Sequence, residues 1–313
     1  MKTPRPLPEE LQDRPFTVAE AARAGVSQKR LRHRALKRLG RGIRAESTTA
    51  ELPLGVRVRP FIEVNEKCAA SHVTAAELLA LPRRRQNGTP EMFHIIRPEG
   101  SAHLNRPHVV VHRMRLYSDE IIVVDGIPVT TPERTWLDMA EMLTIDELVA
   151  LGDSCVRVPR AAFEDRDMPL CGVADLQRMI DRHKGKRGLR KAKEAIELIR
   201  VGADSPQETL LRLAVVRAGL PEPELNVPIF SADGTRHHEP DLSYRKYRIG
   251  IEYEGEHHGE AGQIVRDIAR SESYETLGWT EVRISKRHML DDAKAAVAKI
   301  RAALFQAGWR KGP

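Results

Sequence analysis

The stretch IGIEYEGEHHGE, residues 249–260, gathers the side chains best able to do chemistry. Alternation along a strand places Ile249, Ile251 and Tyr253 on one face and Glu252 and Glu254 on the other. Two like charges on one face repel unless a cation or water takes them up. Gly255 lets the backbone leave the strand, and His257 and His258 follow at once. Asp241 precedes this strand at a distance that lets it meet Glu252 across an antiparallel ladder, with the Tyr253 carbonyl facing the same point. Carboxylates and a carbonyl are hard oxygen ligands that suit Mg2+ or Mn2+. One or two such ions would make water nucleophilic and neutralise the transition state of phosphodiester hydrolysis. Glu208, on the helix before these strands, offers a further carboxylate, bound directly or through water.

Each of these residues also has an ordinary explanation. Ser205 and Glu208 have the spacing of a capping box, which accounts for Glu208 without any metal. Asp241 fits a solvent-facing strand position, although strands disfavour Asp. Glu252 and Glu254 fit a solvated sheet face, and His258 an exposed loop. His237, His238, His257 and His258 allow a zinc reading in which only one of each adjacent pair contributes, because neighbours on a strand point oppositely. His72, His94, His103, His108 and His112 have no common metal-ligand spacing and read as structural or surface residues.

The elements that must hold the acids are legible around them. SPQETLLRLAVVRAGLP opens a helix with Ser205 as N-cap and Pro206 in the first turn. LNVPIF, HHEPDLSY and YRIGIEYE read as an antiparallel meander, GQIVRDIARSESYETLG as a helix ended by Gly278, WTEVRISK as a fourth strand and LDDAKAAVAKIRAALFQAG as a last helix. The order is α-β-β-β-α-β-α.

With SPQET, Pro240-Asp241, IEYEGEHH, RDIAR and LGWTEVRIS in that order, residues 203–290 resemble the PD-(D/E)XK restriction-endonuclease-like superfamily. The closer likeness is to its actinobacterial branch related to the very-short-patch-repair endonuclease. The resemblance implies a catalytic set of Asp241, Glu252, Glu254, His258 and Glu208, and metal ligation by Asp241, Glu252, Tyr253 and Glu254. The wider superfamily carries lysine where Glu254 stands, whereas an acid followed by Gly is usual in this branch. His258 matches the branch's histidine and is expected to act as general base or to polarise the attacking water.

Upstream, Thr17 with Glu20 forms a capping box for a short helix, Gly25 makes a turn, and Ser27 caps a second helix expected to run from Gln28 to about Leu39. A hairpin around Gly40 to Gly42 follows, completing the outline of a winged helix-turn-helix. Lys29, Arg30, Arg32, Arg34, Lys37, Arg38, Arg41 and Arg44 lie here with no acid among them, and read as DNA-contacting residues or as a solvated cationic face. FTVAEAARAGVS, RGIRA and GIPVTTPERTWLDMA resemble, more loosely, AbiEi-type antitoxins. Within the last of these, Arg134 and Asp138 are spaced for a helix-surface ion pair. Residues 157–174 read as a linker, and a basic helical hairpin turns near Gly185 and Gly188. Arg266, Arg270 and Lys286 are further candidates for phosphate contact.

The totals set bounds on this reading. A net charge of +7 with pI near 9.4 favours a polyanionic partner, DNA foremost. Cys68, Cys155 and Cys171 lack C-x-x-C spacing, which argues against a disulfide framework and for a reducing, cytoplasmic setting. No window approaches a membrane span, so no membrane partner is expected. The expected architecture is a multidomain α/β (α+β) chain. It comprises a winged helix-turn-helix at 1–58, a mixed α/β antitoxin-like module at 59–156, a linker with a basic helical hairpin at 157–202, and a nuclease-like domain at 203–313. The expected function is a Mg2+- or Mn2+-dependent DNA endonuclease. The alternative is an antitoxin-like DNA-binding regulator whose nuclease-like domain is degenerate. A homodimer, or a neighbouring toxin or antitoxin as partner, remains open.

Overall fold

The computed structural model describes residues 5–46, 51–65, 67–82, 92–160, 164, 166–231, 233–254 and 270–311. The protein is mixed α/β, with three sheets among the described residues. It divides into two compact units, Met1–Met142 with Ala174–Leu189, and Leu143–Val173 with Arg190–Pro313.

The first unit begins with β1 (Phe16–Thr17), α1 (Val18–Arg23), α2 (Gln28–Leu31), β2 (Lys37–Gly40) and β3 (Ile43–Ala45), paired antiparallel in the order β1-β3-β2. The Thr17–Glu20 capping box and the Ser27 cap form as the sequence suggests. The second helix, however, ends at Leu31 and does not reach Leu39. A helix continued to Leu39 would stack Arg30, Arg34 and Arg38 at four-residue intervals, a repulsive arrangement. The chain instead buries Leu31 and Leu36 in a small core with Leu7, Leu11, Phe16 and Ala21, then pairs as a hairpin.

After α3 (Leu54–Glu63) come β4 (Ala69–Ala70), α4 (His72–Leu78), β5 (Phe93–Pro98), β6 (Val109–Met114), β7 (Ile121–Val124), β8 (Ile127–Thr130) and α5 (Pro132–Met139). The five strands form a sheet in the order β6-β5-β4-β8-β7. Phe61, Ile95, Ile127 and Val129 are part of its buried core. The chain then contributes α6 (Ile145–Val156) to the second unit and returns to the first with α7 (Val173–Arg182). The Arg134–Asp138 pair corrects the expectation of a surface contact, because both side chains are fully buried. Arg134 is shared with Glu120, and Lys186 reaches Asp138 at 3.0 Å, so the buried charges neutralise one another.

In the second unit, α8 (Leu189–Ile196) and α9 (Pro206–Arg217) precede β9 (Glu224–Leu225), β10 (Leu242–Tyr244) and β11 (Ile249–Glu254). A helix described over residues 270–276, here α10, leads to β12 (Thr280–Ser285) and α11 (Leu290–Gln306). The sheet order is β12-β11-β10-β9, with β9, β10 and β11 antiparallel and β12 parallel to β11. Parallel pairing of β11 and β12 requires a crossover, and α10 lies between the two strands in the chain. Leu211, Val215, Ile249, Ile251, Ile284 and Ile300 are among the side chains of the core. Arg157 and Arg160 both pair with Asp204 within this unit.

Candidate functional site

In the second unit Glu252 and Glu208 both lie near enough to Asp241 for their charges to act on it. Leu242 pairs with Ile251, which puts Asp241, one residue ahead of β10, opposite Glu252. Asp241 Oδ2 accepts the Tyr253 backbone N–H at 2.6 Å. Glu252 is 5% exposed, and its Oε1 accepts hydrogen bonds from His238 Nε2 at 2.7 Å and from the Tyr274 hydroxyl at 2.6 Å. Burial, reinforced by Glu252, pushes the Tyr274 hydroxyl up, so it stays a donor. Glu208 is buried at the start of α9. Ser205 Oγ caps its backbone N–H, while its carboxylate accepts from the Asp204 N–H, Ser205 Oγ and Asn226 Nδ2. Capping and membership of the acid cluster thus coexist in one residue.

The electrostatics follow from that crowding. Burial, then the charges of Glu208 and Glu252, push the Asp241 carboxyl up to about 7. Burial likewise raises Glu208. The oxygen donors of this set suit a hard divalent ion. The three acids are not drawn together tightly enough to bring one oxygen from each within 4.8 Å of the others. Glu254 stands apart, about two-fifths exposed, with Arg283 of β12 at 3.5 Å from its carboxylate. His257, His258 and Arg266 lie outside the described residues. Arg270 is paired with Glu281 at 3.0 Å, and Lys286 is exposed just after β12.

The eight basic residues of the N-terminal module divide by environment. Lys29, Arg32, Arg34, Lys37, Arg38 and Arg41 are exposed. Arg30 is held by Glu46 at 2.7 Å and by the Arg5 carbonyl, and Arg44 donates to the carbonyls of Leu31 and Ile43. Lys37, Arg38 and Arg41 sit together on the β2–β3 hairpin, and none forms an ion pair among the described residues.

The first unit also brings together three histidines that sequence spacing had left as unrelated. His72 opens α4, His94 lies on β5 and His112 on β6. One ring nitrogen of each lies within 4.8 Å of the other two. Parallel pairing of β5 with β6 sets His94 opposite Val110, so the two strand histidines share a face. His94 Nδ1 is 3.0 Å from His112 Nε2, and the His72 and His112 rings stack with centroids 3.5 Å apart. No linear motif marks this cluster, because it depends on which strands become neighbours. Beside it lies a cleft of about 920 Å3 whose lining includes His112, Glu141, Arg115, Arg182, Lys186 and Arg187.

Residues 68–161 match the family model described as the AbiEi antitoxin C-terminal domain. Two Mycobacterium tuberculosis proteins are similar over a longer stretch. They are Uncharacterized protein Rv2248 of strain ATCC 25618 / H37Rv and Uncharacterized protein MT2308 of strain CDC 1551 / Oshkosh. Each is 28% identical over 182 residues, which is 58% of this chain and 62% of the relative. The chain therefore spans less than two thirds of the curated relatives it matches. The antitoxin likeness falls on the middle segment that the sequence had only loosely suggested, and the His72, His94 and His112 cluster lies within it. Among the described residues, no helix is long and apolar enough to cross a membrane.

Proposed function

We propose that this chain is a DNA-binding regulator of the antitoxin type. In this reading residues 5–46 act as a small winged helix-turn-helix, and the segment similar to the antitoxin domain engages a toxin partner. The observation that carries the DNA contact is the β2–β3 hairpin, where Lys37, Arg38 and Arg41 are exposed and have no acidic partner among the described residues. Exposed cations of this kind bind phosphates by releasing counterions, so their contribution falls as salt rises. Duplex binding measured across a salt series tests the reading. Lys37→Ala, Arg38→Ala and Arg41→Ala together are expected to weaken binding and flatten its salt dependence. Unchanged binding would remove the hairpin from the DNA contact.

A second reading, a metal-dependent DNA endonuclease, is favoured by the Asp241–Glu252–Glu208 cluster in a sheet with three antiparallel strands and one parallel strand. Asp241, Glu252 and the Tyr253 carbonyl would hold Mg2+ or Mn2+, which would supply an activated water and charge neutralisation. His238 and Tyr274 would orient Glu252 by hydrogen bonding to it. Nicking of supercoiled plasmid in Mg2+ or Mn2+, abolished in Asp241→Asn with Glu252→Gln, is the expected result. Absence of nicking, or nicking that survives both substitutions, would leave the unit as a binding platform.

A further inference from the structure

We infer that His72, His94 and His112 form a binding site for a divalent first-row transition-metal ion, zinc foremost, with Glu141 as its neighbouring anion. Neither functional reading above is needed for this inference. Three observations carry it.

The first is convergence. The histidines come from α4, β5 and β6, and one nitrogen from each already lies within 4.8 Å of the other two. A tetrahedral ion at about 2.1 Å would bring its nitrogen ligands to roughly 3.4 Å from one another, so modest side-chain rotation closes the site. Imidazole nitrogens select zinc, cobalt, nickel or copper over magnesium and calcium.

The second is the state of His72. Its ring is fully buried, and its Nε2 has only the Glu141 carboxylate, at 3.4 Å, beside it. Nδ1 lies 3.0 Å from Ser71 Oγ, and the tautomer in which it donates there leaves Nε2 a lone pair for a metal ion. Its backbone also has φ of 51°, in the left-handed region that residues other than glycine seldom occupy. Strain of that kind persists where surrounding structure over-determines a position.

The third is charge and access. Glu141 Oε1 is 3.4 Å from His72 Nε2 and 3.8 Å from His112 Nδ1, close enough to offset a bound cation. His112 and Glu141 both line the cleft, which gives an ion a path to the cluster. Lys186, which shares the cleft lining, is drawn to Asp138 at 3.0 Å and so already has a counter-charge.

The test uses the full chain, stripped with a chelator and titrated with Co2+ and then Zn2+. The expected result is one equivalent of Co2+ per chain with intense visible bands of four-coordinate geometry, bleached by Zn2+. A Zn2+-dependent rise in the melting midpoint should accompany it. His112→Gln and His94→Asn are each expected to weaken binding on the order of 100-fold or more, since loss of an outer hydrogen-bond partner alone costs 10–100-fold. His103→Gln, at an exposed position of the same unit, should retain wild-type affinity. Circular dichroism in chelator identifies which ligand variants are folded, and either one suffices. Weak octahedral-type bands, absence of binding, or wild-type affinity in a folded ligand variant would each overturn the site.

Discussion

Asp241 sits opposite Glu252 with Glu208 near enough to add its charge, and together with burial they raise its carboxyl to about 7. The unfolded chain would ionise this residue near its ordinary value, close to 4. From about pH 4 to pH 7 the folded state therefore holds a proton that the unfolded state has lost. Stability contributed by this residue is full below that window and falls as pH rises through it. Asp241→Asn keeps an acceptor for the Tyr253 N–H but cannot ionise. In chelator its melting midpoint should gain on the wild type between pH 4 and 7, with the gap level above pH 8. A gap independent of pH would mean that Asp241 is ionised at neutrality in the fold. Divalent metal at neutral pH should narrow the gap if the acids bind it, because a cation favours the charged form.

At the scale of elements, β11 and α10 meet at Gly250. A Cβ there would lie 2.2 Å from the Tyr274 hydroxyl, the group that donates to Glu252. Gly250→Ala is expected to expel Tyr274 and cost about 1–3 kcal/mol, the range for an overpacked site. Chemical denaturation measures the loss, and Tyr274→Phe, which removes only the hydroxyl, should cost less. Equal costs would show that the hydrogen bond rather than space matters. Strands β11 and β12 were legible because Ile249, Ile251, Val282 and Ile284 alternate with polar residues. The end of α2 was not, because the pattern from Gln28 to Leu39 suits a helix until like charges and the burial of Leu36 are weighed together. Glu252 could be read from alternation, but His238 and Tyr274 could not. Their contacts with it span 14 and 22 residues, separations that no local pattern encodes. The three histidines of the first unit were invisible for the same reason.

Across the whole molecule, a charge of +7 favours polyanions without saying where they bind. Placement narrows the choice, because Arg30, Arg44 and Arg270 are committed to internal partners while Lys37, Arg38 and Arg41 are exposed. Arg30→Ala should accordingly lower stability more than it lowers DNA affinity, and the hairpin substitutions should do the reverse. The most direct measurement is the affinity of the full chain for duplex DNA as a function of salt, with wild type and the Lys37→Ala, Arg38→Ala, Arg41→Ala variant side by side. The regulator reading predicts a steep fall in wild-type affinity with salt and a slope shallower by about 0.9 for each phosphate contact the variant loses. Absent or salt-insensitive binding, or identical slopes for the two proteins, would contradict it.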